Sequence, residues 1–399
     1  MKVETITGSI LRKMSDIGKC QMKFFMHIVH LYLIMRGRKN FLMMERYGKY
    51  GEQTYRQRFE KDFDFKAFNK ELIAQCCGQE LVWIFDPSYV SKSGKHTPGV
   101  GYFWSGCAGS MKWGLELSAL GIADLDNHTA MHYHSQLTQF VKGEQSLRAY
   151  YAKLICEQAT EMQKTSKLIA FDAFFSKNQF VDSICDAGFT LVSRMQSNTF
   201  MRYAYTGVQN GGKGRRKEFD GRIDVKNLCN ERFKVIKSDE DEVAYEGLAH
   251  IRSLKRWYKV VILYTLKDGK VNKALIYFST DPNMAGLKVL QYYRIRYQIE
   301  FVFRDSKGHL GLEDCQSRQE KALDFHFNIS LTTLNIAKAT HWLSIPKEER
   351  GVFSMTDIKT QYINELVLDK LISFYGKDPS VEKNNPKIRE LYALGRIAA

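Results

Sequence analysis

No two cysteines in this chain stand at C-x-x-C spacing. The eight it has, Cys20, Cys76, Cys77, Cys107, Cys156, Cys185, Cys229 and Cys315, are scattered. That pattern excludes a zinc finger and a disulfide frame, and free thiols in a reducing cytoplasm are expected. Long apolar runs are also missing. IVHLYLIM at 28–35 is flanked by charge and too short to cross a bilayer. Residues 1–20 carry polar and charged side chains throughout, so no secretory leader is expected. There is no internal repeat and no low-complexity segment. Acidic residues are in deficit, with 44 Asp and Glu against 59 Lys and Arg, a net charge of +15. A field of that sign favours a polyanionic partner, nucleic acid or an anionic membrane, and with no spanning run the membrane is the weaker choice.

What is present suits a globular chain of two or three domains: 399 residues, 44% of them apolar. Residues 1–75 read as a helical head with fifteen basic and eight acidic residues. Within it, NFLMMERYG and GEQTYRQRFEKD form two short helices joined around Gly48 and Gly51, the pattern of a helix-turn-helix. The second would present Gln53, Arg56, Gln57 and Lys61 to DNA; an ordinary helical hairpin is the plainer alternative. From about residue 80 buried strands alternate with helices. LVWIFDPS (81–88) and KLIAFDAFF (167–175) read as strands that end in an acid. GLELSALGIADL (114–125) reads as a strand pair, 134–164 as a helix, and FTLVSRM (189–195) as a further strand. The pattern predicts an α/β layer with a partly parallel sheet. Residues 200–282, opening on the basic loop NGGKGRRKEFDGR, read as a mostly antiparallel β block inserted in that layer. Helices resume near 284, and an amphipathic helix follows Pro346.

Three acids and three histidines are candidates for chemistry. Asp86 and Asp172 end apolar strands, where the ligands of open α/β sheets gather and where an unpaired acid is costly. Glu300 lies in YRIRYQIEFVFRDSK (293–307). On a wheel of about 100° per residue, Tyr293, Arg296, Glu300 and Lys307 fall within roughly 60° of one another, and Arg304 shares their arc. The plain reading of that stripe is a surface helix with an Arg296–Glu300 pair. Read with Asp86 and Asp172, it completes a carboxylate cage for Mg²⁺ or Mn²⁺. Two such ions about 4 Å apart can cleave a phosphodiester. His128, His132 and His134 in DNHTAMHYHSQ offer a rival metal cluster, but that segment reads as a loop running into a helix, with no second ligand motif.

The spacing Y-x₂-R-x₃-E-x₆-K through Tyr293, Arg296, Glu300 and Lys307 resembles the signature of bacterial insertion-sequence DDE transposases. The resemblance is to the large Y-R-E-K group (insertion-sequence family four). WIFDPSYVSKSGK resembles that family's first-aspartate region and LIAFDAFFSK its second, so the resemblance spans roughly residues 80–345. It implies a ribonuclease-H-like core in two parts, 76–199 and 283–345, with a β-rich insertion at 200–282. A helical DNA-binding head at 1–75 and a helical tail at 346–399 would flank them. It further implies Asp86, Asp172 and Glu300 as the catalytic, metal-binding triad. Tyr293, Arg296 and Lys307, joined by Arg304, would hold the phosphates of the transposon end. Trp257 is the candidate to stack on a flipped base, with an interior or cation–π role beside Lys255 and Arg256 as the alternative. The implied activity is binding of terminal inverted repeats, strand cleavage, often through a DNA hairpin, and strand transfer into target DNA. Such an enzyme would be at least dimeric when active and cytoplasmic, associated with the bacterial nucleoid. The rivals are a nuclease without strand transfer and a non-catalytic DNA-binding descendant of a transposase.

Overall fold

The computed structural model describes residues 3–139, 146–209, 211 and 214–397. Parts of the helix expected over 134–164 and of the basic loop at 210–222 therefore lie outside the described residues. Helices α1 (Val3–Lys13), α2 (Lys19–Ile34), α3 (Phe41–Tyr47), α4 (Glu52–Phe59) and α5 (Phe65–Cys76) open the chain. Local chemistry sets their ends. Asn40 accepts a hydrogen bond from the Met43 N–H (2.9 Å) and Asp64 one from the Ala67 N–H (2.9 Å), each satisfying a free donor of a first turn. Gly48 closes α3 because a Cβ there would lie 2.6 Å from the Met44 carbonyl oxygen and overlap the Tyr55 hydroxyl.

Among the described residues twelve strands form one sheet: β1 (Leu81–Ser91), β2 (Gly101–Ser105), β3 (Ser110–Asp124), β4 (Thr129–Leu137), β5 (Leu168–Ala170), β6 (Thr190–Met195), β7 (Met201–Ala204), β8 (Phe219–Arg222), β9 (Phe233–Ser238), β10 (Glu242–Ile251), β11 (Arg256–Lys267) and β12 (Lys270–Ser279). Their order is β2-β3-β1-β5-β6-β12-β11-β10-β7-β8, with β4 also on β3 and β9 also on β10. β1, β5 and β6 run parallel. β3 is antiparallel to both β1 and β4. Helices α6 (Leu147–Cys156), α7 (Ala159–Met162) and α8 (Asn178–Asp186) lie between the parallel strands in sequence. The block at 200–282 is mostly antiparallel, as its patterning predicts, and it prolongs the same sheet, because β12 pairs with β6.

Several elements depart from expectation. Asp86 does not end its strand: β1 runs on through Pro87 to Ser91. Beyond Ile84 its pairing with β5 stops while that with β3 continues, so a proline missing its N–H can sit on a half-open edge. Residues 114–125 are not a strand pair but the greater part of one long strand, β3. Within it Gly121 permits close approach: a Cβ there would lie 2.9 Å from the Met131 carbonyl oxygen. The histidine segment is strand β4, not a loop entering a helix, and the helix expected from 134 starts at Leu147.

The chain closes with α9 (Gly286–Ile295), α10 (Gln298–His309), α11 (Glu320–Ser344), α12 (Met355–Phe374), α13 (Pro379–Glu382) and α14 (Pro386–Ala393). The long α11 is the hub. Phe325 meets the rings of Phe24, Phe59 and Phe65 at 6.5, 4.6 and 5.3 Å. His326 bonds the buried Tyr32 hydroxyl at 2.8 Å. Farther along, Asn328 and Asn335 bond β4. Asn69 of α5 ties both partners together, donating to Thr332 Oγ1 (2.9 Å) and to the Tyr133 carbonyl of β4 (3.1 Å). The N-terminal helices and the sheet thus share one hydrophobic core.

Candidate active site

Side chains of β1 alternate between its two faces. Trp83 and Phe85 point towards α6 and α7: the Trp83 indole donates to the Met162 carbonyl (3.0 Å), and Phe85 meets Tyr151 at 5.2 Å. Ile84 lies on the other face, where its side chain and that of Ile299 flank Gly121. Asp86 shares that face and so looks towards α10. Asp172 follows β5 by two residues and caps a short 3₁₀ turn, Ala173–Phe175, accepting from the Phe174 N–H at 2.9 Å. Ser193 of β6 pins that crossover by donating to the carbonyls of Phe171 and Asp172, 3.0 Å each.

Glu300 comes from the first turn of α10. The stretch 293–307 is not one helix. It tightens at Arg296 and Tyr297 into i→i−3 hydrogen bonds of 3.2 Å, which separate α9 from α10. Arg296 sits at that joint, only 11% exposed, with its guanidinium 3.3 Å from Glu300, which is 41% exposed. Its Nε has no hydrogen-bond partner, and its guanidinium lies 5.6 Å from the centre of the Tyr293 ring. Burial works against its charge, but Asp86, Tyr293, Asp172 and Glu300 together hold its pKa above the usual arginine value. The complementary effect falls on Asp86. Burial, then the negative charges of Asp172, Glu300 and Glu116, push its carboxyl up to about 7 against the pull of Arg296.

Asp86 therefore lies in the fields of Asp172 and Glu300, and Arg296 in the fields of all three acids. Three carboxylates are hard oxygen donors suited to Mg²⁺ or Mn²⁺. In the positions seen, no three His, Cys, Asp or Glu side chains among the described residues are grouped closely enough to hold a metal ion. That applies to the histidines too. His132 is buried against Asn328 (3.2 Å), and burial drives it and His134 down to about 3. His128 stands apart in the turn before β4, at φ 49°.

The other predicted residues distribute differently. Tyr293 packs on Tyr277, ring centres 4.8 Å apart. Lys307 reaches β1, donating to the Tyr89 carbonyl (2.7 Å) and pairing with Glu313 (3.0 Å). Arg304 turns outward, engaged with Asp305 (2.9 Å) and the Phe301 ring. Arg56 lies far from this group in sequence and is exposed on α4, paired with Glu52 and set over Phe41. With Gln53, Gln57, Gln316 and Arg318 it lines a polar pocket of about 430 Å³. Trp257 is stacked on Phe219 (5.8 Å, 25°) and edge-on to His250, while its neighbour Arg256 pairs with Asp182. Sequence reasoning missed Glu116. It is buried on the α6 face of β3, bonded by the Tyr151 hydroxyl, and its charge still reaches Asp86. An acid inside the apolar run LELSAL was the available signal.

A family model described as a transposase DDE domain matches residues 127–336, more than half of the chain. That span contains Asp172, Glu300 and most of the sheet; Asp86 precedes it. Comparison with curated proteins finds no match. The strands β4-β3-β1-β5-β6, three of them parallel, are part of a large mixed sheet, and the family implies a ribonuclease-H-like core. The chain belongs to the transposase DDE domain family: it is a DNA-binding polynucleotidyl transferase.

Proposed function

We propose that this transposase belongs to the Y-R-E-K insertion-sequence group, with Asp86, Asp172 and Glu300 as its catalytic triad. The observation that supports this reading is the repulsion that Asp172, at the end of β5, and Glu300, on α10, exert on Asp86 of β1, with Arg296 held by all three. Such an arrangement is costly for stability alone and suits a site that takes up positive charge. Bound there, a pair of Mg²⁺ or Mn²⁺ ions would neutralise the acids and supply the activated water of phosphodiester cleavage. The chain's own residues then position DNA. Arg296, whose Nε is unpartnered, turns to a phosphate of the transposon end. Lys307 and Tyr293 hold neighbouring phosphates, and the exposed Arg304 extends that grip. Helix α4, with Gln53, Arg56 and Gln57, joined by Lys61 just beyond its end, reads the terminal inverted repeat. Trp257 stacks on a base drawn from the duplex, replacing Phe219. Two ends held together require at least two chains in the active complex.

The test is incubation with Mg²⁺ and labelled DNA carrying the element's own flanking repeats. Metal-dependent 3′ nicks and joined strands are expected. Nicks without joining would leave a nuclease, and binding without either product would leave a DNA-binding descendant of a transposase.

A further inference from the structure

The β2–β3 hairpin carries an aromatic face that the proposed chemistry does not use. Its register sets Tyr102 opposite Trp113 and Trp104 opposite Met111. Opposed residues of an antiparallel pair share a face, so these four large side chains stand together. All are exposed: Tyr102 67%, Trp104 59%, Met111 54% and Trp113 40%. On the other face Phe103 and Ser105 are buried and anchor the hairpin, with Lys112, opposite Phe103, exposed at its margin. A patch of this kind on a protein surface marks a contact with something else.

Charge and position point to the occupant. Between Asp86 and Glu116 there is no acidic residue, while Lys92, Lys95, His96 and Lys112 all lie in that interval. Lys92 spends its ammonium on two carbonyls, those of Cys315 (2.6 Å) and Ser317 (2.9 Å). Lys95 and His96 are exposed in the loop before the hairpin, whereas the exposed Lys112 is paired with Phe103 and stands on the opposite face. The hairpin is also continuous with the proposed site. Lys307 donates to the Tyr89 carbonyl, and the Tyr89 hydroxyl donates to the Trp113 carbonyl (2.7 Å). The Trp113 indole donates to the Gly94 carbonyl (3.2 Å), holding the lysine-bearing loop beside it. Asp86 pairs in register with Ala119. Counting along β3 at ~3.4 Å per residue sets Trp113 about 20 Å and Met111 about 27 Å from that level.

We infer that the outer face of the β2–β3 hairpin, built from Tyr102, Trp104, Met111 and Trp113, stacks on unpaired bases of DNA whose strand passes the proposed site. Aromatic rings beside cations are the recurring surface for single-stranded nucleic acid, because every base offers a π-face and the lysines meet the backbone. At one base per ~3.4 Å of duplex, the platform meets DNA about six to eight nucleotides from the reacting phosphate. The stacking itself rests on DNA being the substrate; the spacing in nucleotides also takes Asp86 as part of the site.

The experiment measures anisotropy of a labelled 20-base-pair duplex bearing a twelve-nucleotide thymidine tail, against the same duplex with blunt ends, without divalent metal. The wild-type chain is expected to bind the tailed duplex more tightly. Tyr102→Ala with Trp104→Ala should weaken tail binding about ten-fold or more, leave blunt binding unchanged, and keep the melting temperature. Trp104→Phe alone should keep most of the tail preference. Equal affinity for the two duplexes in the wild type, or an undiminished preference in the double variant, overturns the inference while leaving DNA as the substrate. A wild-type chain that binds neither duplex overturns both. Light scattering on the same samples supplies one further outcome: a dimer that the double variant abolishes, with tail binding intact, assigns the face to a second copy of the chain.

Discussion

At the scale of single residues, the balance between Asp86 and Arg296 governs what can be measured. The Asp86 carboxyl is pushed up to about 7, well above its value in an unfolded chain. The folded state therefore binds more protons than the unfolded state between about pH 4 and 7. Stability is lost as pH rises through that window, the reverse of a salt-bridged aspartate. Asp86→Asn is expected to flatten this decline and to melt higher than the wild type at pH 8. Mg²⁺ should raise the wild-type melting temperature at pH 8 and do so less in Asp86→Asn, a readout that needs no catalysis. Cleavage should be lost in Asp86→Asn, Asp172→Asn and Glu300→Gln with DNA binding kept; full activity in one of them removes that residue from the triad. Arg296 behaves differently from an exposed helix ion pair. It is 11% exposed and its removal leaves three acids without their cation, so Arg296→Ala should destabilise the fold by about 1–3 kcal/mol at pH 8. The loss is kept below that of a fully buried pair by the 41% exposure of Glu300. Stability should recover at pH 5.5 as Asp86 takes up a proton, and a pH-independent loss would refute this account.

At the scale of elements, α4 and the joint between α9 and α10 carry the expectations. Replacing Arg56 and Lys61 with Ala should flatten the slope of log K against log salt by about one unit for each phosphate no longer neutralised. An unchanged slope would move repeat recognition away from α4. Gly48→Ala tests how firmly the α3–α4 turn is set, since the added Cβ meets the Met44 carbonyl at 2.6 Å. A lower melting temperature, with loss of specific but not non-specific DNA binding, is expected. The joint at Arg296 explains why a wheel drawn for an unbroken helix only partly describes the site. The i→i−3 turn leaves Arg296 beside Glu300 but sends Tyr293 to β12 and Lys307 to β1.

At the scale of the whole molecule, α11 joins the N-terminal helices to the sheet. Deleting residues 1–75 would strip Phe24, Tyr32, Phe59 and Phe65 from it and expose its apolar face. The truncated chain is expected to aggregate, so a DNA-binding test of the head must use point variants in the full chain. Phe325→Ala should cost about 3–5 kcal/mol. Because it opens a core common to both parts, one cooperative transition should move in calorimetry. Two separate transitions, only one of them shifted, would show that head and sheet unfold independently.

The basic charge, the alternation of buried strands with helices, the short helices around Gly48, the antiparallel patterning of 200–282 and the spacing of Tyr293, Arg296, Glu300 and Lys307 were all legible in the sequence. They are local or compositional properties, set by side-chain period and turn chemistry. Tertiary structure alone decided which residues meet. Whether Asp86 ended a strand or sat within one depended on the ladder with β3, and whether His132 faced solvent depended on Asn328 of α11, 196 residues away. The same holds for Arg296 as the counter-charge of three acids, for Glu116 beneath them and for the bare face of the β2–β3 hairpin. Such pairings are fixed by burial and backbone partners far apart in the chain, and no window of sequence contains both sides of them.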